Sequence, residues 1–147
     1  QAGADIETIK NQLTQYSDED LLTLGELMGN AAHQADYTYS YIRDEFIDEW
    51  LAKGQNQAAL NRATGAFLDD YIRNIGGRKW GFIVYKNSLH GNNYYSASFR
   101  AVSGVKDVSV IAGKLGGGGH KPAAGAKFEA NTVEDAIRKV QAVILEP

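Results

Sequence analysis

Apolar residues fall into two rhythms along this chain. Through residue 75 they recur mostly at steps of three and four, the helical spacing; from residue 80 to 102 they run together or alternate, the strand spacing. Asp5 is placed to cap a first helix with Ile6, Ile9, Leu13 and Tyr16 on one side. Ser17 with Asp20 three residues on reads as a second helix start, ahead of Leu21, Leu24, Leu27 and Met28, and Gly29-Asn30 ends it. Tyr37 to Ile42 predicts a strand with Tyr37, Tyr39 and Tyr41 on one face and Thr38, Ser40 and Ile42 on the other. A helix follows through Phe46, Ile47, Trp50 and Leu51, ending at Gly54. Another is predicted from Gln57 to Ile75 with Leu60, Phe67, Leu68, Tyr71 and Ile72 inward, closed by Gly76-Gly77.

Trp80 to Tyr85 then reads as a buried strand, Asn87 to Asn93 as a hairpin-like turn, and Tyr94 to Val102 as the returning strand. That strand carries Ser98 and Arg100 on the face opposite Phe99. Asp107 caps a short helix with Val108, Ile111, Ala112 and Leu115. After a glycine run comes a small-residue strand from Ala123 to Ala130, and Thr132 caps a last amphipathic helix with Val133, Ala136, Ile137, Val140 and Ile144. Strands alternating with helices predict an α/β (α+β) fold, a mixed β-sheet flanked by helices.

Composition narrows the classes. The chain has 147 residues, 44% hydrophobic and 22% charged, enough to bury a core without staples. With no cysteine it builds no disulfide scaffold, thiolate zinc site, iron–sulfur cluster or cysteine nucleophile. No apolar run is long enough to span a bilayer, and the N-terminus lacks the basic and apolar regions of a signal peptide, so no membrane is expected and the cytoplasm is the default location. Residue 1 is Gln, which predicts a fragment whose chemistry sits in a part that precedes it. Residues 1–75 carry 5 basic and 13 acidic residues, a balance of −8, and residues 76–147 carry 10 and 5, a balance of +5. An anionic ligand is therefore expected at the C-terminal half, a small anion or short nucleic acid rather than a long duplex.

The stretch from Leu115 to Gly125 is the most informative. Gly116, Gly117, Gly118 and Gly119 can take positive φ and turn several N–H groups into one concavity, for which a phosphate is the natural guest. His120 adds a donor at its end, and Arg100, held on a strand, offers a planar fork for a phosphate. Two familiar phosphate loops do not match: Lys121 is followed by Pro122, not Ser or Thr, and no G-x-G-x-x-G can be placed on the run. The run also follows a helix C-terminus, whose dipole repels anions, so nested amides and side chains would have to do the binding.

These residues resemble a family. Gly116 to Gly125 is similar to the G-G-G-H-x-x-A-A-G signature of the substrate-binding domain that follows the catalytic domain in DHH-family phosphoesterases. Ser98-Phe99-Arg100-Ala101 resembles that domain's S-x-R-S strand with Ala in the last place, and Asp107 to Ala112 resembles its capped helix. The resemblance implies residues 1–30 as a helical linker from a catalytic domain and 31–147 as the substrate-binding domain. It implies that Gly116 to Gly119 and His120 cradle the substrate, that Arg100, with Ser98 on the same strand, reaches its phosphate, and that Gly125 is structural. It also implies partners: a nucleotide or short oligonucleotide, the chain's own N-terminal catalytic domain, and a homodimer as a further candidate. The subgroup it resembles is the oligoribonuclease and phosphoadenosine-phosphate phosphatase type, exopolyphosphatase-related.

The family's catalytic domain holds two divalent metals, usually manganese, through clusters that include an Asp-His-His triplet. No such triplet is present here: His33, His90 and His120 lie far apart in sequence, and Asp44, Glu45, Asp48 and Glu49 read as a solvated helix face. No catalytic or metal-ligating residue is predicted in this chain, no cofactor is expected on it, and manganese belongs to the catalytic domain. The alternative reading is a non-catalytic RNA- or tRNA-binding module, as in related domains of alanyl-tRNA synthetases, with Trp80, Tyr94 and Tyr95 stacking on bases. A purely structural or dimerising domain is the third.

Overall fold

The computed structural model describes residues 16–73, 77–91 and 93–147. The helix expected from Asp5 lies outside the described residues as far as Gln15, and of the end expected at Ile75 with Gly76-Gly77, residues 75 and 76 lie outside them too. Among the described residues five α-helices flank a six-stranded mixed sheet, an α+β fold. The elements are α1 (Asp18–Gly29), β1 (Ala32–His33), β2 (Thr38–Tyr41), α2 (Asp44–Ala52), α3 (Gln57–Phe67), β3 (Trp80–Lys86), β4 (Tyr94–Ala101), α4 (Val108–Lys114), β5 (Gly118–His120), β6 (Ala123–Glu129) and α5 (Val133–Ile144).

The sheet order is β1-β2-β3-β4-β6-β5, with β2 and β3 parallel and every other neighbouring pair antiparallel. Central β3 is buried from Trp80 through Tyr85, and its period of two divides its side chains between two cores. Trp80, Phe82 and Val84 join Tyr95, Ala97 and Phe99 of β4 under α4 and α5, with Val108, Ile111, Val133, Ile137 and Val140 above them. Ile83 and Tyr85 face the other way, toward Leu24 and Leu27 of α1, Ile47 and Trp50 of α2, and Leu60 and Phe67 of α3. The molecule is thus three layers: α4 and α5, the sheet, then α1 to α3.

Helix starts follow local chemistry. Ser17 and Asp20 form the reciprocal capping box, Asn56 caps α3, Asp107 caps α4 and Thr132 caps α5. In α1 the expected apolar stripe is narrower than its sequence pattern: Leu24 and Leu27 are buried, whereas Leu21 and Met28 are 40% and 45% exposed. The reason is Asp20, buried at 2% exposure, which takes the inward position by accepting from Arg62 Nε and Nη2 at 3.1 and 3.2 Å.

The long helix from Gln57 also departs from its pattern. It is α-helical to Phe67 and then widens into a π-turn over Leu68–Ile72. Residues five apart face the same way in such a turn, which lets both Phe67 and Ile72 reach zero exposure against the sheet. The same turn presents Asp69 toward β4.

Candidate functional site

Strand register builds the site. On β4, Ser96, Ser98 and Arg100 point away from the α4–α5 core, and their partners on β6 are Lys127, Gly125 and Ala123. On β5, Gly118 pairs with Gly125 and His120 with Ala123. Residues directly opposite share a face. Two rows therefore cross the three strands on one face: Ser98–Gly125–Gly118, and next to it Arg100–Ala123–His120. Arg100 and His120 lie two strands apart, about 10 Å between backbones, and the rows are about 7 Å apart. The first row has almost no side chain, a bare floor beside an arginine and a histidine.

The glycine run has a different conformation from the loop the sequence suggests. Gly118 to His120 form the edge strand β5. Gly116 and Gly117 donate their N–H groups back to Gly113 O at 3.0 Å and Ala112 O at 2.8 Å, capping the end of α4. At the two ends of the β4–β6 ladder, Ala101 N–H donates to Pro122 O and Ala130 N–H to Asn93 O. That phase turns Ala124 toward β4 and Ala123 and Gly125 toward β5, so Gly118 and His120 bond to β6 while Gly119 points its amide to the open edge. The four amides are thus spent in three directions and do not converge into an anion nest.

What the glycines supply is closeness. A Cβ on Gly117 would lie 2.1 Å from Gly125 O, and one on Gly119 would lie 2.6 Å from Ala124 Cα with φ at +147°. At Gly118 a Cβ would meet nothing within 4 Å. Gly117 and Gly119 are needed for β5 to lie on β6, whereas nothing in the fold demands glycine at 118.

Arg100 is held rather than free. Its Nε donates to Asp69 Oδ1 at 3.0 Å and its Nη1 to Phe99 O at 3.0 Å, and the side chain is 24% exposed. Asp69 also receives Arg73 Nη2 at 3.3 Å. The carboxylate fixes the guanidinium over the sheet face while Nη2 has no hydrogen bond among the described residues. His120 is exposed on its edge strand.

Beside the bare row opens a cleft of about 560 Å³. The backbone of Gly117 and Gly125 floors it, and Asn61, Tyr85, Ser98 and Lys127 stand around it. Tyr85 donates its hydroxyl to Asn61 Oδ1 at 3.0 Å, and Asn87 Nδ2 donates to Ser96 Oγ at 2.8 Å. Burial pushes the Tyr85 hydroxyl above its ordinary pKa, so it remains a donor. Arg100 and His120 do not line this cleft; they stand one row beyond it. Sequence reasoning missed Lys127 and Asn61. The period of two carried to β6 places Lys127 on the Ser98 face, whereas no local signal links Asn61, on a helix, to that strand.

Two other expectations change. Trp80 and Tyr95 are 2% and 1% exposed, core residues of the α4–α5 face, and cannot stack on bases; Tyr94 is half-buried with its hydroxyl bonded to Glu129. The helix face from Asp44 to Glu49 is not wholly solvated. Asp44 accepts from Tyr95 Oη at 3.0 Å and from Val133 N at 3.1 Å, tying α2 to β4 and to the start of α5. Burial and then that carboxylate raise the Tyr95 pKa well above its ordinary value. Among the described residues no three histidine or acidic side chains stand close enough to hold a metal. No helix among them is long and apolar enough to cross a membrane.

A family model described as the DHHA1 domain matches residues 36–146. No curated protein matches the chain. Among solved structures, an exopolyphosphatase-related protein from Bacteroides fragilis superposes with a TM-score of 0.66 at 20% identity, over 88% of this chain and 35% of that one. A pGpG-specific phosphodiesterase, PggH, from Vibrio cholerae superposes with a TM-score of 0.52 at 15% identity, over 92% of this chain and 41% of that one. The chain therefore spans well under half the length of either structure, and at these identities the likeness is one of fold.

Proposed function

The chain belongs to the DHHA1 domain family, and from that premise we propose that it is the substrate-binding part of a DHH-type phosphoesterase, holding a nucleotide or short oligonucleotide by its phosphate. Residues 31–147 are the binding domain, and residues 1–30 lead to it from a catalytic domain that carries the manganese and does the hydrolysis in the cytoplasm. The names of the two structural neighbours, a pGpG phosphodiesterase and an exopolyphosphatase-related protein, agree with a phosphoester or phosphoanhydride substrate.

One observation carries the reading: Arg100 and His120 share a register row and a face, beside a floor stripped of side chains at Gly118 and Gly125. A phosphate set on that floor takes charge-assisted bonds from Arg100 Nη2 and from His120, and Asp69 keeps the guanidinium aimed there at no cost in ordering when the ligand arrives. Ser98, on the floor row, adds a hydroxyl. The substrate role of the glycines is to leave room, not to supply a ring of amides.

The test is calorimetric titration of the 147-residue chain with pGpG and with adenosine 3′,5′-bisphosphate. Arg100→Ala and His120→Ala are each expected to weaken binding about tenfold, the worth of one charge-assisted bond. Affinities unchanged in both variants would end the reading. The RNA-module alternative has lost Trp80 and Tyr95 to the core, and a preference for long structured RNA over dinucleotide is the result that would revive it.

A further inference from the structure

We propose that the hollow between α1 and α2 is a docking site for an arginine side chain carried on an apolar polypeptide segment. The hollow shares no residue with the Arg100–His120 row or with the cleft beside it, so the two faces can be tested apart.

Its volume is about 150 Å³, room for one long side chain and far less than the cleft on the sheet face offers. Helix α1 gives it Glu19 and Leu22, and α2 gives it Phe46, Glu49, Trp50 and Lys53, each set repeating at three or four residues along one helix face. The wall is aromatic. Phe46 and Trp50 lie nearly parallel, 19° apart with ring centroids at 6.0 Å, and the Trp50 indole donates to Asn56 O at 3.0 Å, which fixes the ring. The rim is acidic. The carboxylates of Glu19 and Glu49 have no hydrogen bond or ion pair among the described residues. Two arginines of this layer are already engaged: Arg43 forks onto Glu26 through Nε and Nη2 at 2.8 and 3.0 Å, and Arg62 onto Asp20. Lys53, one turn beyond Glu49, makes no ion pair with it.

That chemistry selects the guest. Two open carboxylates repel a phosphate, and a wholly apolar side chain would leave them unused. An arginine satisfies both parts: its planar guanidinium stacks on aromatic rings and forks onto carboxylates, while its stem covers apolar surface. Lysine meets the charge but offers neither the plane nor the fork. The balance of −8 over residues 1–75 draws a cation to this layer rather than to the basic C-terminal half.

An apolar ridge beside the hollow points to a polypeptide as the carrier. Leu22 is 60% exposed, and Leu21 and Met28, two turns apart on α1 with Gly25 between them, continue the exposed apolar surface along the helix. A free cation would leave those side chains in water, whereas a segment with apolar residues flanking its arginine covers them.

The experiment titrates the 147-residue chain with acetyl-Leu-Arg-Leu-amide, with the same peptide carrying citrulline in place of arginine, and with free L-arginine. The indole N–H resonances of Trp50 and Trp80 are followed by NMR. Citrulline keeps the shape of arginine and loses its charge. The arginine peptide is expected to move Trp50, leave Trp80 in place, and bind about tenfold more tightly than either other probe. Glu19→Gln and Glu49→Gln are each expected to weaken it about threefold, and Leu22→Ser by about the same factor. All three positions are at least partly exposed, so the variants are expected to fold, and near-ultraviolet circular dichroism verifies it. Equal affinity for the arginine and citrulline peptides overturns the cation site. Equal affinity for the arginine peptide and free arginine overturns the polypeptide guest. Absence of a Trp50 shift with the arginine peptide, or binding that neither Gln variant weakens, overturns the proposal as a whole.

Discussion

A methyl group added at Gly118 meets open space, while one added at Gly117 or Gly119 drives into the backbone of β6. Three neighbouring glycines thus have separable jobs. Gly117→Ala and Gly119→Ala are expected to cost about 1–3 kcal/mol of stability, the range for forcing extra volume into a packed position. Gly118→Ala is expected to stay within about 0.5 kcal/mol of wild type in urea titration but to weaken pGpG binding severalfold, because its methyl stands on the floor beside Gly125. Equal stability loss in all three variants would show that the run is wholly structural. Arg100 is the other residue whose position is set by its neighbours. Asp69 holds its fork over the sheet face, so under the proposed function the salt bridge and a phosphate contact are complementary uses of one side chain.

At the scale of elements, the α1–α3 contact turns on one carboxylate. Burial by itself pushes the Asp20 carboxyl up, but hydrogen bonds from Arg62 and Ser17 outweigh it and hold the group below the ordinary carboxylate value. A carboxyl whose folded pKa is lowered binds fewer protons in the native state than when unfolded. Its stabilising effect is complete above the unfolded pKa and is lost as pH falls through the folded one. Stability in urea is therefore expected to fall between about pH 5 and pH 2, and Asp20→Asn, less stable at neutral pH, should lose less over the same interval. Identical pH slopes for the two proteins would remove Asp20 from this role. Glu26 is held down in the same direction: burial raises it, and Arg43 and Asn30 outweigh that by hydrogen bonding. It adds to the slope that the variant retains.

For the whole molecule, the question is whether two cores on opposite sides of one sheet act as one. Phe82 and Val84 belong to one core, Ile83 and Tyr85 to the other, all on the same strand. Neither layer can let go without moving β3, so unfolding is expected to be a single transition. The two tryptophans report on it separately, Trp80 from the α4–α5 side and Trp50 from the α1–α3 side. Urea midpoints of Trp50→Phe and Trp80→Phe followed by fluorescence should each match that variant's own far-ultraviolet midpoint. Midpoints that split between fluorescence and far-ultraviolet dichroism would show layers that melt independently. The face proposed for binding spans this shared sheet, its floor on β4, β6 and β5 and its walls from α3 and the turn after β3, so a loosened α3 would open the cleft as well.

Periodicity and caps are local properties, and the sequence by itself determined whatever depends on them: the capped helices, the buried strand at Trp80, the alternation on β4 that puts Ser98 and Arg100 on one face, and the class of fold. The motif around Gly116 to Gly125 was equally legible as the mark of the family. What it did not disclose was the conformation. Whether those glycines coil into a nest or lie flat as an edge strand depends on β6 lying 2.1 to 2.9 Å from where a Cβ on Gly117 or Gly119 would stand, and that closeness arises only when the sheet is assembled. Asn61, Asp69 and Asp44 were unreadable for the same reason. Each acts on a partner 24 to 89 residues away, across a layer boundary that no spacing along the chain encodes. Tertiary structure alone decided which surface residues face one another, because side-chain direction is set locally but its destination is set by packing.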